Sequence, residues 1–169
     1  MKKWKMDDEY INIVSDILSN EEFKKLEDLK HHGDNRLDHS LRVSYYSYRI
    51  SKRFNMDTVS VARAGLLHDF FIVNNQEISL KERLEVLCNH PKLALDNSKK
   101  YFDLNELEEN IIVSHMFPFC LVLPKHRESW LVNKVDNVMA IYERYFTIKN
   151  KVKGTLEGTK LGEIIKVNN

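Results

Sequence analysis

Asp57-Thr58-Val59-Ser60-Val61-Ala62-Arg63-Ala64-Gly65-Leu66-Leu67-His68-Asp69-Phe70-Phe71 is an apolar helical segment that ends in an imidazole and a carboxylate. Val61, Ala64, Gly65 and His68 fall at i, i+3, i+4 and i+7, so they share one helix face, and Asp57 is placed to cap its start. Neighbouring helical residues point about 100° apart. His68 and Asp69 therefore reach one centre only where the helix ends, which Asp69-Phe70-Phe71 allows. A carboxylate there has two oxygens and can bridge two metal ions, an arrangement suited to holding hydroxide between two Lewis acids at neutral pH.

The same pattern recurs on both sides of this segment. Upstream, Asp7 or Asp8 starts a helix carrying Ile11, Val14, Ile17 and Leu18, and Asn20 caps a second, short one through Leu29, closed by His31-His32-Gly33. Asp38 is the expected cap of a long helix whose stripe is His39, Val43, Tyr46, Ile50 and Phe54. Downstream, the polar run 73–79 reads as a loop, followed by a helix burying Leu80, Leu84 and Leu87. Asn89-His90-Pro91 should break that helix and start another, since a residue before proline is pushed out of helical geometry. Leu104, Leu107, Ile111 and His115 align on one face, and a last strong helix from about Glu128 carries Val132, Val135, Asp136, Met139 and Glu143 on one side. The pattern fades after Tyr145, and residues 150–169, with Gly154, Gly158 and Gly162, read as a weakly specified appendage. The expectation is an all-α fold of about seven or eight helices, a single domain spanning 1–169.

Composition bounds the function. Only 5 Gly and 3 Pro occur in 169 residues, which excludes collagen-like and linker-like classes and disfavours a many-turned β fold. With 26 basic against 25 acidic residues, net charge gives no argument for nucleic acid or an anionic membrane as partner, although a local basic patch is compatible with it. No apolar run approaches the ~18 residues of a membrane helix, and the N-terminus lacks the apolar core of a signal peptide. Cys88 and Cys120 form neither a CxxC pair nor a zinc-ribbon spacing and are expected as buried hydrophobes. A cytoplasmic protein is the expectation.

His39, His68, His115 and Asp136 each lie in line with the apolar stripe of a different helix, and Asp69 and His90 stand at helix ends. Burying such groups is costly unless something satisfies them. Taken singly, each histidine is open to a plain reading as a hydrogen-bonded core residue, and Asp136 to one as the partner of a buried cation. A convergent cluster around a divalent metal explains all six with one object, because coordination offsets the burial cost of imidazole and carboxylate.

The order His39, then His68-Asp69, then Asp136 resembles the HD superfamily of metal-dependent phosphohydrolases. Asp38-His39-Ser40-Leu41-Arg42-Val43 resembles its first histidine helix, Leu66-Leu67-His68-Asp69 its HD doublet and Val135-Asp136-Asn137 its distal aspartate word. His90 in Asn89-His90-Pro91 and His115 in Ser114-His115-Met116 match the additional histidines of two-metal subfamilies. The similarity covers about residues 31–146, and in particular is to small stand-alone HD proteins of Gram-positive bacteria. Two departures limit it. His115-Met116-Phe117-Pro118 lacks the second histidine and GYP word of the cyclic di-GMP phosphodiesterases, and His31-His32 stand where some relatives place a glutamate, leaving His32 either a further ligand or a surface residue.

The resemblance implies a hydrolase acting on a nucleotide or another small phosphate ester through two divalent transition metals (Mn, Fe, Co, Ni or Zn). Asp69 would bridge them, His39, His68 and Asp136 would hold one, and His90 and His115 the other. Arg42, three residues after His39 and so on nearly the same face, is a candidate for binding substrate phosphate or for a salt bridge to Asp38 or another carboxylate. Lys125 and Arg127, flanking His126, are further candidates for phosphate recognition or plain solvated surface. The same ligand pattern also occurs in HD-type di-iron oxygenases, and a regulatory module with a structural metal site is the third alternative.

Overall fold

The computed structural model describes residues 7–31, 34–72 and 80–157. Its order is α1 (Asp8–Ser19), α2 (Glu21–Lys24), a 3₁₀ turn (Lys25–Asp28), two-residue strands β1 (Lys30–His31) and β2 (Asp34–Asn35), then α3 (Arg36–Arg53), α4 (Thr58–Leu67), α5 (Leu80–Tyr101), α6 (Glu106–Ser114) and α7 (Arg127–Glu157). The fold is all-α apart from the antiparallel β1–β2 pair, in which Lys30 faces Asn35 and His31 faces Asp34. Among the described residues no helix is long and apolar enough to cross a membrane. His32, the loop expected over 73–79 and residues 158–169 lie outside the described residues.

Side-chain caps fix where several helices start. Asp7 accepts from the Tyr10 amide, Asn20 from Phe23 and Asp57 from Ser60, as their positions in the sequence suggest. Asn105 and Glu108 form a reciprocal capping box at α6. The cap of α3 is Asn35 rather than Asp38: its side chain accepts from the Asp38 amide at 2.7 Å, because the hairpin brings the chain into the helix one turn earlier.

The buried face of α3 also differs from the expected stripe. Tyr46 and Phe54 are exposed, whereas Ser40, Ser44, Ser47 and Ser51, at i, i+4, i+7 and i+11, are buried. Small side chains let α4 lie close against α3: a Cβ on Gly65 would stand 3.0 Å from the Ser44 Cα. The polar cost is met in part at Ser44, whose hydroxyl donates to the Ala62 carbonyl at 2.6 Å and accepts from Tyr10 at 2.8 Å. Apolarity alone is a poor guide to this face, since closeness of approach selects for size. Around it, Val14, Ile17, Phe23, Leu26, Val61, Leu66, Phe70, Ile111, Ile112 and Val132 are buried in one core.

Three further expectations need correction. Asn89-His90-Pro91 does not break the chain into two helices; α5 runs through with Pro91 inside it. Proline removes one backbone donor, which a long helix can absorb, and His90, Pro91 and Ala94 are all buried. The final helix does not fade at Tyr145 but extends to Glu157. Cys120 is buried, but Cys88 is exposed.

Candidate metal centre

Five helices deliver the polar cluster. His39 lies in the first turn of α3, His68 and His115 cap the C-termini of α4 and α6, His90 sits within α5, and Asp136 lies on α7. Each is buried. The two C-cap histidines use one device. His68 Nδ1 bonds the Gly65 carbonyl at 2.8 Å and His115 Nδ1 bonds the Ile112 carbonyl at 2.7 Å, each three residues back. A carbonyl only accepts, so Nδ1 carries the proton in both rings and Nε2 presents its lone pair to the centre. Helix C-termini supply such carbonyls because the last turn has no amides to satisfy them.

The inward nitrogens meet carboxylate oxygens. Asp69 Oδ1 is 3.4 Å from His90 Nε2 and 3.7 Å from His115 Nε2, while its Oδ2 is 4.0 Å from His68 Nε2. One carboxylate thus faces two sets of histidines through its two oxygens. Asp136 Oδ1 lies 3.0 Å from His39 Nε2 and 3.6 Å from His68 Nε2. Three overlapping groups of potential ligand atoms result: His39 with His68 and Asp69, His68 with His115 and Asp136, and Asp69 with His90 and His115.

Two observations test whether a metal suits these donors. Among the described residues His68 Nε2 is buried without a hydrogen-bond partner, a costly state for an imidazole nitrogen. The His90 and His115 Nε2 atoms lie 2.9 Å apart. Since the His115 atom offers a lone pair, that contact in the neutral state needs a proton on His90 Nε2; a cation in its place lets both nitrogens coordinate. Mixed imidazole and carboxylate donors, all buried, fit divalent transition ions.

Electrostatics separate the histidines: His115 is pushed down, whereas His39 and His68 are raised. Burial, with His68 and His90 close by, pushes His115 down to about 4, so it is neutral and ready to coordinate at physiological pH. Burial opposes charge on His39 as well, but hydrogen bonds to Asp136 and Glu143 outweigh it and raise the group to about 10. The metal-free chain therefore holds a proton on His39 below that pH, and coordination must displace it. Metal uptake near pH 7 should release about one proton from this residue, and affinity should strengthen as pH rises towards about 10. Calorimetry in buffers of different ionisation enthalpy measures the release; uptake without protons would contradict the ligand role of His39.

Some residues of the centre escape the sequence patterns. Glu143, one heptad after Asp136 on the same side of α7, accepts from His39 Nδ1 at 2.9 Å and pairs with Arg42 Nη1 at 2.5 Å. Arg42 is thus joined to a carboxylate that orients a candidate ligand, the salt bridge to a carboxylate that the sequence left open for it. Arg36 donates to the Phe71 carbonyl at 2.6 Å and stacks 4.0 Å above the Phe71 ring, pinning the turn that follows Asp69. Asn133, one turn before Asp136, donates to the His115 and Phe117 carbonyls. Only its i−3 spacing from Asp136 hinted at that role.

A half-open cavity of about 490 Å³ stands over the cluster. Asp69, His90, His115 and Asp136 contribute its acidic and imidazole groups, Met116, Phe119, Ala140 and Ile141 are apolar, and Asn137 and Arg144 complete it. Asp136, Ala140 and Arg144 follow at i, i+4 and i+8 on α7, so that helix supplies a candidate ligand and a guanidinium to one opening. Lys125 and Arg127 are elsewhere: Lys125 is exposed, and Arg127 bonds the Asn55 carbonyl at 2.6 Å and Glu128 at 3.2 Å. Neither lines the cavity.

The HD domain family matches residues 36–141, a span that contains His39, His68, Asp69, His90, His115 and Asp136. Ribonuclease Y from two strains of Ureaplasma parvum serovar 3 is 29% identical over 146 residues, covering 80% of this chain. The chain spans 28% of the length of those relatives. No solved structure matches.

Proposed function

This chain belongs to the HD domain family, within the superfamily of metal-dependent phosphohydrolases, and on that footing we propose that it hydrolyses the phosphate ester of a nucleotide or a nucleotide-derived molecule at a binuclear centre. The observation that carries the reading is the facing of Asp69 Oδ1 to His90 and His115 and of Oδ2 towards His68. In this assignment His39, His68 and Asp136 would hold one ion, His90 and His115 the other, and Asp69 would be shared by both. Two divalent ions held in this way supply an acidified water and a positive clamp for phosphate.

The chain's own residues do the rest. The Gly65 and Ile112 carbonyls lock the tautomers of His68 and His115, and Glu143 orients His39. Arg144 at the cavity is placed to take a phosphate oxygen, a role for which its fork suits the anion. Arg42 is a positioning residue that acts through Glu143 and His39. The apolar wall of Met116, Phe119 and Ile141 offers a surface to the organic part of the ester and excludes water. The name of the ribonuclease relatives adds a phosphodiester between nucleotides to the candidate substrates.

The test is hydrolysis by metal-loaded protein of p-nitrophenyl phosphate, bis(p-nitrophenyl) phosphate and a panel of nucleotides under anaerobic conditions. Metal-dependent release that needs no oxygen is expected. No turnover of any ester by the loaded protein, together with oxygen consumption by its iron form, would overturn the hydrolase in favour of the oxygenase alternative.

A further inference from the structure

α7 does not end at the cavity. Beyond Arg144 it continues for three more turns to Glu157. The face that opens onto the cavity through Ile141 and Arg144 continues with Tyr145, Ile148, Lys151 and Val152. Its apolar members stand in solvent: Ile141 is 71% exposed, Tyr145 57%, Ile148 57% and Val152 53%. Such a row on one helix is more than the scattered apolar exposure of an ordinary surface. The charge is equally one-sided. From Arg144 to Leu156 the sequence contains Arg144, Lys149, Lys151 and Lys153 and no carboxylate, although the whole chain is almost neutral.

A second copy of the chain is one conceivable occupant, since Val138, Ile141, Tyr145, Ile148 and Val152 follow i, i+3, i+7, i+10 and i+14, the seam of paired helices. The flanks of that seam argue against it. Arg144, Lys149 and Lys151 would meet their own counterparts in a parallel or an antiparallel pair, and like charges there repel. The complement of this face is an anion with flat apolar surfaces. Its position adds a second requirement, because Ile141 and Arg144 belong both to the face and to the cavity.

We propose that the exposed face of α7 from Ile141 to Val152 is a binding track for single-stranded polynucleotide, along which the strand reaches the cavity. A strand carries phosphates at regular intervals for Arg144, Lys149 and Lys151, and every base has a face that stacks on an aromatic ring such as Tyr145. Arg144 and Lys151 are seven residues apart, about 10 Å along the helix, so a strand on the track reaches beyond the opening of the cavity. The inference rests on the phosphohydrolase reading and sharpens its substrate from a nucleotide to an oligonucleotide.

The experiment compares the metal-loaded full chain with a variant carrying Tyr145→Ala, Lys149→Glu and Lys151→Glu. All three positions are exposed and lie outside the proposed centre, and circular dichroism checks that helicity is kept. Two substrates are used: bis(p-nitrophenyl) phosphate, too small to reach the track, and a fluorescent single-stranded RNA 12-mer, whose binding is also followed by anisotropy. The variant should turn over the small diester like the parent, while KM and Kd for the 12-mer rise about tenfold or more and the salt dependence of binding becomes shallower. Unchanged 12-mer binding and kinetics would overturn the track while leaving the hydrolase reading intact. A parent dimer that the variant loses, with no change in 12-mer affinity, would assign the face to a second copy instead. Absence of small-diester turnover in the parent would count against the hydrolase reading, and anisotropy would still decide the track.

Discussion

Asp69→Asn is expected to lower ester hydrolysis by several orders of magnitude while leaving a helical, folded chain. Asparagine nearly matches aspartate in volume, so the packing around α4 should suffer little. The change is in what the two side-chain atoms offer. Asp69 presents one oxygen to His90 and His115 and the other towards His68. Asparagine keeps one oxygen and turns the other position into an N–H₂ donor with no lone pair for a cation. The shared ligand and its negative charge are both lost, so at least one ion should bind more weakly, and with it go the acidified water and half of the clamp on phosphate. Thermal stabilisation by added metal should shrink in parallel, as linkage requires. Activity and melting temperature across a metal titration measure both effects; near-parental turnover in a mass-verified variant would refute the bridging role.

Glu143→Ala should have the next largest effect, although Glu143 is not among the proposed ligands. It holds His39 Nδ1 at 2.9 Å and anchors Arg42 on its other oxygen. Its removal frees the His39 ring and leaves the guanidinium without that partner. Loss of such an orienting carboxylate typically lowers metal affinity about 10- to 100-fold. Glu143→Gln should recover part of this, because an amide oxygen still accepts from His39 but no longer balances Arg42. Competition against a chelating dye reads the affinities, and parental affinity in the alanine variant would leave Glu143 as the salt-bridge partner of Arg42 with no part in the centre.

Much of the centre is legible in the sequence because burial and ligation conflict there. A histidine in line with Val61, Ala64 and Gly65, or with Leu107 and Ile111, breaks an apolar pattern, and the structure brings His39, His68, Asp69, His90, His115 and Asp136 together. Side-chain caps were equally visible at Asp7, Asn20 and Asp57, where a short polar residue precedes an apolar period. The missed features have no such local conflict. The serine face of α3 reflects how close α4 comes, which depends on tertiary packing rather than on apolarity. The continuation of α5 through Pro91 depends on its neighbours, since proline's local preference favours a break. Glu143 shares a helix side with Asp136, but a glutamate on a helix is ordinary, and only the approach of α3 turns it into the partner of His39 and Arg42. Arg144 was hidden for the same reason: it becomes a cavity residue through the juxtaposition of α7 with His90 and His115.

Metal counting is the sharpest test of a binuclear centre built from these six side chains. Metal-free protein titrated with Mn, Fe(II), Co, Ni or Zn, freed of loosely held ions and analysed by elemental methods, should retain about two ions per chain, because six ligands exceed what one ion with an open position uses. Ester hydrolysis should rise with filling of the second site. Retention of at most one ion, with full activity at that loading, would contradict the account and reduce the centre to His39, His68, Asp69 and Asp136.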